Sequence, residues 1–365
     1  MTGWSEYMIR TGRVMAAWGL ALGLATLLAA PAARAEAAAE ASPILVTPGA
    51  VGSGLYQESP LSFEPIALHF RDPAIERVGK LTYLGGLQLR SEDKRFGGLS
   101  GLQISSDGQT MLAISDRGYW VGATLDYDGE RLVGMRNVIV SPLLDRNGRP
   151  LNDKDKKEAD AEAIAELPGS GIVVSFEGNN RLWHYGATLS DAIFGKRPHP
   201  LPLPVDIAKA IKKLPENGAI EAIATMADGT LLAIAEDGKD DDGDHLAWLI
   251  GATTIAQFTY RTDENFSPTD ATFLPNGDLM VLERRFTLLQ GLATRLKLVK
   301  KHEIKPDTVV SGVEAANLAF PFNIDNMEGI TARQDEAGDT LLYLVSDDNY
   351  NPLQRTMVMV FRLEE

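Results

Sequence analysis

Carboxylates recur along this chain in pairs. Glu162 and Glu177 stand fifteen residues apart, as do Glu221 and Glu236; Asp270 with Glu283 and Glu328 with Asp347 repeat the arrangement more loosely, and Asp116 precedes them. Arginine follows the second acid in three places: Asp116-Arg117, Glu177 then Arg181, and Glu283-Arg284-Arg285. Clusters that offer only oxygen suit a hard cation. Calcium accepts six to eight such donors in flexible geometry, and Asn326 and Asn349 would add side-chain carbonyls. Arginine beside the cation suits an anionic oxygen substrate, because its planar fork matches phosphate or carboxylate. The expected metal ligands are therefore Glu162, Glu221, Asp270, Glu328 and Asp347, and the expected catalytic set is Asp116, Arg117, Glu177, Arg181, Glu283 and Arg284. Taken singly, each acid also reads as a solvated strand end and each arginine as a loop-holding ion pair; recurrence in register favours the site.

Other chemistries find less support. The five His are scattered and form no His-Glu-x-x-His, which disfavours zinc, and the absence of cysteine excludes thiol catalysis and thiolate-bound metals. No Gly-x-Ser-x-Gly elbow is present, and Ser100 has no evident His partner. The acidic run Asp237 to His245 lacks calcium-loop spacing and reads as a solvated loop. Trp120, Trp183 and Trp248 fall at similar offsets, as packing residues would.

Five short hairpins must position the paired acids. Each has an apolar run, a turn such as Asp107-Gly108, Asp228-Gly229 or Asn276-Gly277, and a second apolar run, for example Ile220 to Ala224 and Leu231 to Ala235. The start of the first strand and the end of the second share the open end of a hairpin, so paired acids become neighbours. Successive copies lie 62, 59, 49 and 58 residues apart, counted from Ser100 through Glu162, Glu221 and Asp270 to Glu328. Such repetition predicts an all-β propeller whose inner hairpins gather their acids at one mouth of a central channel. Six blades are expected, the sixth assembled from residues 61–90 and the strand Met357 to Phe361; a pair of β-sandwiches is the alternative. A helical insertion is expected over Val205 to Leu214.

The beginning of the chain reads as an address. Arg10 and Arg13 precede the apolar run Val14 to Ala30, and Ala33-Arg34-Ala35 offers a cleavage site, so residues 1–35 read as a signal peptide for the periplasm or beyond, with no membrane span after cleavage. Residues 36–60 read as a flexible leader and 61–365 as the propeller. The chain carries a formal charge of −15; removing residues 1–35 takes away three Arg and one Glu and leaves −17. Nucleic acid is an unsuitable partner for such a surface.

The blocks Phe96-Gly97-Gly98-Leu99-Ser100-Gly101-Leu102, Ser115-Asp116-Arg117-Gly118, Asp160-Ala161-Glu162-Ala163-Ile164-Ala165, Leu282-Glu283-Arg284 and Asn326-Met327-Glu328-Gly329-Ile330 resemble the bacterial phytase-like family, labelled "esterase-like activity of phytase". The similarity runs over about residues 60–365. It implies an exported propeller that hydrolyses phosphoesters or esters, with calcium in the central channel. Ala163 and Ala222 stand where the family pattern usually has Gly. Three functions stay open: a metal-dependent hydrolase of an anionic ester, a calcium-dependent lactonase or carboxyl esterase, and a non-enzymatic ligand-binding propeller.

Overall fold

The computed structural model describes residues 57–151, 155–186, 188–251 and 255–364. The signal segment and nearly all of the leader lie outside these residues.

The alternating apolar runs form five sheets. Blade 1 comprises Leu99–Ile104, Thr110–Ser115, Tyr119–Asp128 and Arg131–Pro142, with Gln57–Glu58 on its outer edge. Blade 2 comprises Ala161–Leu167, Gly171–Phe176, Arg181–Tyr185 and Pro198–Pro200. Blade 3 comprises Ile220–Thr225, Leu231–Lys239, His245–Ile250 and Ile255–Tyr260, with Val309–Val310 added in parallel. Blade 4 comprises Ser267–Phe273, Leu279–Thr287, Gly291–Val299 and Val313–Ala319. Blade 5 is built from Asn326–Gln334, Thr340–Asp347 and Thr356–Leu363, followed outward by Leu81–Ser91 and Leu61–Pro65. The innermost strands touch one another in chain order, and that of blade 5 touches that of blade 1. The fold is a closed five-bladed β-propeller.

The expected count of six is thus corrected to five. Residues 61–91 and the strand Thr356–Leu363 do meet, with Leu87 opposite Val358 and Tyr83 opposite Phe361, but inside blade 5. The reason is structural. Neither segment carries an inner hairpin of its own, whereas the fifth hairpin needs outer strands to cover its edge.

An apolar layer fills each gap between neighbouring blades. Leu102, Met111 and Val345 belong to the layer joining blades 5 and 1, and Met280, Leu282 and Met359 to that joining blades 4 and 5. Trp120, Trp183 and Trp248 are buried in such layers, as expected. The turns behave as their sequences require: Gly108, Gly229 and Gly277 have φ of +79°, +83° and +86°, and the preceding Asp or Asn side chain accepts a backbone N–H two residues on. The expected helix forms over Val205–Lys212. Among the described residues no helix is long and apolar enough to cross a membrane.

Candidate functional site

Every inner hairpin is irregular at the same place. In the first strand one residue near the open end has no partner across the ladder, and the register shifts around it. These bulge residues are Ser100, Glu162, Glu221, Thr269 and Glu328; in blade 2, Glu162 and Ala163 together face Ser175. A bulge re-aims a side chain without ending the strand. The corresponding position on the second strand, read off the same registers, holds Asp116, Glu177, Glu236, Arg284 and Asp347. Ten positions therefore form two tiers at one end of the channel, holding seven acids, one arginine, one serine and one threonine.

The two hydroxyl positions are tied down. Ser100 donates to Ala161 O at 2.6 Å and Thr269 donates to Met327 O at 3.2 Å, each reaching the residue before the bulge of the next blade. The acids are crowded. Asp160, Glu162 and Glu177 have oxygens within 4.8 Å of one another. Glu177 Oε2 accepts Gly218 N at 2.7 Å and Ala219 N at 3.3 Å, which fixes it at the seam between blades 2 and 3. Lys156 Nζ lies 3.5 Å from Asp160 Oδ2. Gly98, with φ of +60°, lets the backbone pass against Asp116: a Cβ there would stand 2.2 Å from Asp116 Oδ1.

Burial is the first cause of every shifted carboxyl in the ring, and neighbouring charge the second. It pushes Asp116 and Asp160 up to about 6, Glu328 to about 7 and Asp347 to about 8, each against partial relief from a cation or hydrogen bond. Glu162 is raised well above the ordinary range by burial and then by Glu221, Glu177, Asp160 and Asp116, and Glu221 by burial and then by Glu236, Glu177 and Glu328. Asp116 Oδ1 and Asp160 Oδ1 are buried without a hydrogen-bond partner among the described residues. Opposing this excess is Arg284, whose Nε lies 3.3 Å from Glu328 Oε1 and whose Nη2 lies 3.6 Å from Glu236 Oε1.

The structure distributes the expected residues unevenly. Asp116, Glu162, Glu177, Glu221, Arg284, Glu328 and Asp347 come together. Asp270 sits one residue past the bulge, in the layer where the other blades place Gly101, Ala163, Ala222 and Gly329, and its oxygens are committed to Ala271 N at 2.8 Å and Ile330 N at 2.7 Å. Glu283 sits one residue before the ring and faces blade 3, accepting Tyr260 Oη from that blade and Arg295 Nε from its own, both at 2.6 Å. Arg181 stacks on Phe176 and Trp183 at 4.0 and 4.2 Å and donates to Asn179 O and Glu158 O. Those three hold loops and seams together. Arg117 lies 3.3 Å above the Tyr350 ring, and both line a groove of about 910 Å³ together with Asp348. Asp347 Oδ1 accepts Asn349 N, so Asn349 contributes its backbone, and Asn326 Nδ2 donates to Glu328 Oε1 at 2.7 Å. Asp160 was missed as a site residue, although its place two residues before Glu162 was a usable signal. The acidic run from Asp237 is a loop closed on itself, with Asp240 Oδ1 accepting two backbone amides and Asp244 pairing with Arg261.

Among solved structures, the chain is similar to the β-propeller domain of Cps50 (Swd1) from Myceliophteria thermophila, at 11% identity and a TM-score of 0.37, covering 82% of this chain and 99% of that one. It is also similar to a gluconolactonase from Xanthomonas campestris, at 11% identity and a TM-score of 0.40, covering 84% and 98%. No curated protein matches it in sequence. Residues 94–350 reach from the approach to blade 1 as far as Tyr350, take in the whole ring of acids, and match the family described as Phytase-like, esterase-like activity of phytase, so the chain belongs to that family.

Proposed function

We propose that the chain is an exported, calcium-dependent hydrolase of small anionic esters, phosphoesters foremost, acting at the acidic mouth of the propeller. One observation carries this reading: a carboxylate trio within 4.8 Å, formed by Asp160, Glu162 and Glu177, shares its ring with a single guanidinium, Arg284. The trio fits a hard divalent cation. It offers only oxygen, Asp160 Oδ1 and the neighbouring Asp116 Oδ1 lack hydrogen-bond partners among the described residues, and two unit charges 4 Å apart repel by ~4 kcal/mol even at an effective dielectric of 20. A cation held by these residues would polarise an ester oxygen and acidify a water molecule.

The chain's own groups supply the rest. Arg284, oriented between Glu236 and Glu328, holds the anionic group and stabilises charge that grows on it. Glu328, at about 7, is poised to take a proton near neutral pH, while Asp347, at about 8, is mostly protonated there and can give one to a leaving oxygen. Arg117, spread on Tyr350, offers a second fork at the rim. Export to the periplasm or beyond is supported by the basic, apolar and small-residue order of residues 1–35.

Hydrolysis of a lactone or carboxyl ester by the same groups is the second reading, favoured by the family's esterase-like description. The test is turnover of a panel of phosphoesters and lactones by purified protein, with and without chelator. Phosphoester turnover that chelator removes and calcium restores is the expected result. Lactone turnover alone would move the assignment to the second reading, and no turnover of either class would leave a ligand-binding propeller.

A further inference from the structure

Blade 4 continues above the ring. Its second strand runs three residues past Arg284 to Thr287, and the returning strand begins at Gly291, so this hairpin stands proud of the mouth. Side chains alternate along a strand, which puts Phe286 on the face of Arg284, roughly 7 Å further out. Phe286 is paired with Leu292 on the returning strand, and Ala293 is in turn paired with Ala319. Phe320 follows Ala319 in the turn just past the end of the last strand, at the same end of the blade. Phe286 and Phe320 are 66% and 68% exposed, and Leu288 and Leu289 at the hairpin tip are almost wholly so. Arg71 caps the far end, with its guanidinium carbon 5.3 Å from the Phe320 ring centre.

Scattered apolar residues on a surface need no explanation, but a row that starts beside the ring arginine does. We infer that the substrate is amphiphilic: an anionic ester whose apolar acyl, alkyl or aryl portion lies along Phe286, Leu292 and Phe320 while its charged centre meets Arg284. This rests on the proposed hydrolase reading and adds the substrate's apolar half to it. The occupant follows from continuity, since the row is reached from Arg284 along one strand face and a bound chain leaving the mouth in that direction meets apolar surface at once.

Calorimetric titration of the calcium-loaded protein with n-alkyl phosphonates of two to ten carbons tests the inference without requiring turnover. Affinity should rise by ~2- to 4-fold per added methylene, the range for partial to full burial of that group, until the row is covered. Phe286→Ser and Phe320→Ser should flatten the rise while leaving affinity for the two-carbon phosphonate unchanged. Binding of every length with equal affinity would overturn the apolar track and leave the hydrolase reading intact; absence of binding, together with absence of ester turnover, would overturn both. Flotation with neutral phosphatidylcholine vesicles is run alongside: vesicle binding lost in the two variants, with a flat chain-length series, would assign the row to a lipid surface and refute the substrate assignment.

Discussion

Two arginines of blade 4, half-buried Arg284 and buried Arg295, separate positional from catalytic roles at the level of single residues. Arg284 borders the ring, and Arg284→Ala should lower turnover per folded molecule by a factor on the order of 10² to 10³ if it stabilises a developing anion. Arg295 serves Glu283, which is wholly buried. Arg295→Ala leaves that carboxylate without its cation and should cost about 3–5 kcal/mol in urea unfolding. A pH dependence follows from the ring acids. Their folded-state values are raised, from about 6 for Asp116 and Asp160 to about 8 for Asp347, so the folded protein holds more protons than the unfolded chain between about pH 4 and 8. Their contribution is fully present below about pH 4 and is lost as pH rises through the folded values. With chelator present, urea midpoints should therefore fall from pH 5 to pH 8. Calcium should reverse much of that fall, and Glu162→Gln should shrink both effects; a midpoint indifferent to pH and to calcium would mean the acids do not share a cation.

At the scale of strands, the bulge decides what can be read from sequence. The five hairpins, their turns and the gathering of most of their acids were legible, because alternation and Asp-Gly or Asn-Gly turns are local signals. Asp270 and Glu283 were misplaced by one residue each. Blade 4 has acids at the neighbouring positions, and nothing in its composition shows that Thr269 is the bulged residue or that Arg284 rather than Glu283 takes the ring position on the second strand. A one-residue slip reverses the face of a side chain, so both acids leave the mouth. Blade number was illegible for a related reason, since strand pairing across the whole chain has no local signature. The layer beneath the bulges makes its own prediction. A Cβ at Gly329 would stand 2.8 Å from Val345 Cγ1 and 3.0 Å from Gly101 Cα, where neighbouring inner strands crowd the axis. Gly329→Ala should destabilise the fold by about 1–3 kcal/mol in denaturant titration, whereas Ala222→Gly, the reverse change at the equivalent place in blade 3, should cost less than that.

The ring as a whole is closed by one strand. Thr356–Leu363 lies between Thr340–Asp347 and Leu81–Ser91, so removing it strips both neighbours of a partner and uncovers Leu344, Val345 and Leu87. Truncation after Arg355 should abolish the single cooperative transition in scanning calorimetry; a truncated chain that still melts in one sharp step would show that the other blades stand without closure. The same strand also sets a clock. Asp347 belongs to blade 5 and Asp116 to blade 1, and the charge of Asp116 raises the proton affinity of Asp347 across the seam that Thr356–Leu363 completes. While that segment is still inside a ribosome or a narrow translocation channel, the two acids have no fixed neighbour. Assembly of the acidic ring is therefore among the last events in the making of the molecule, and a chain threaded unfolded through such a channel gains the complete ring only on the far side.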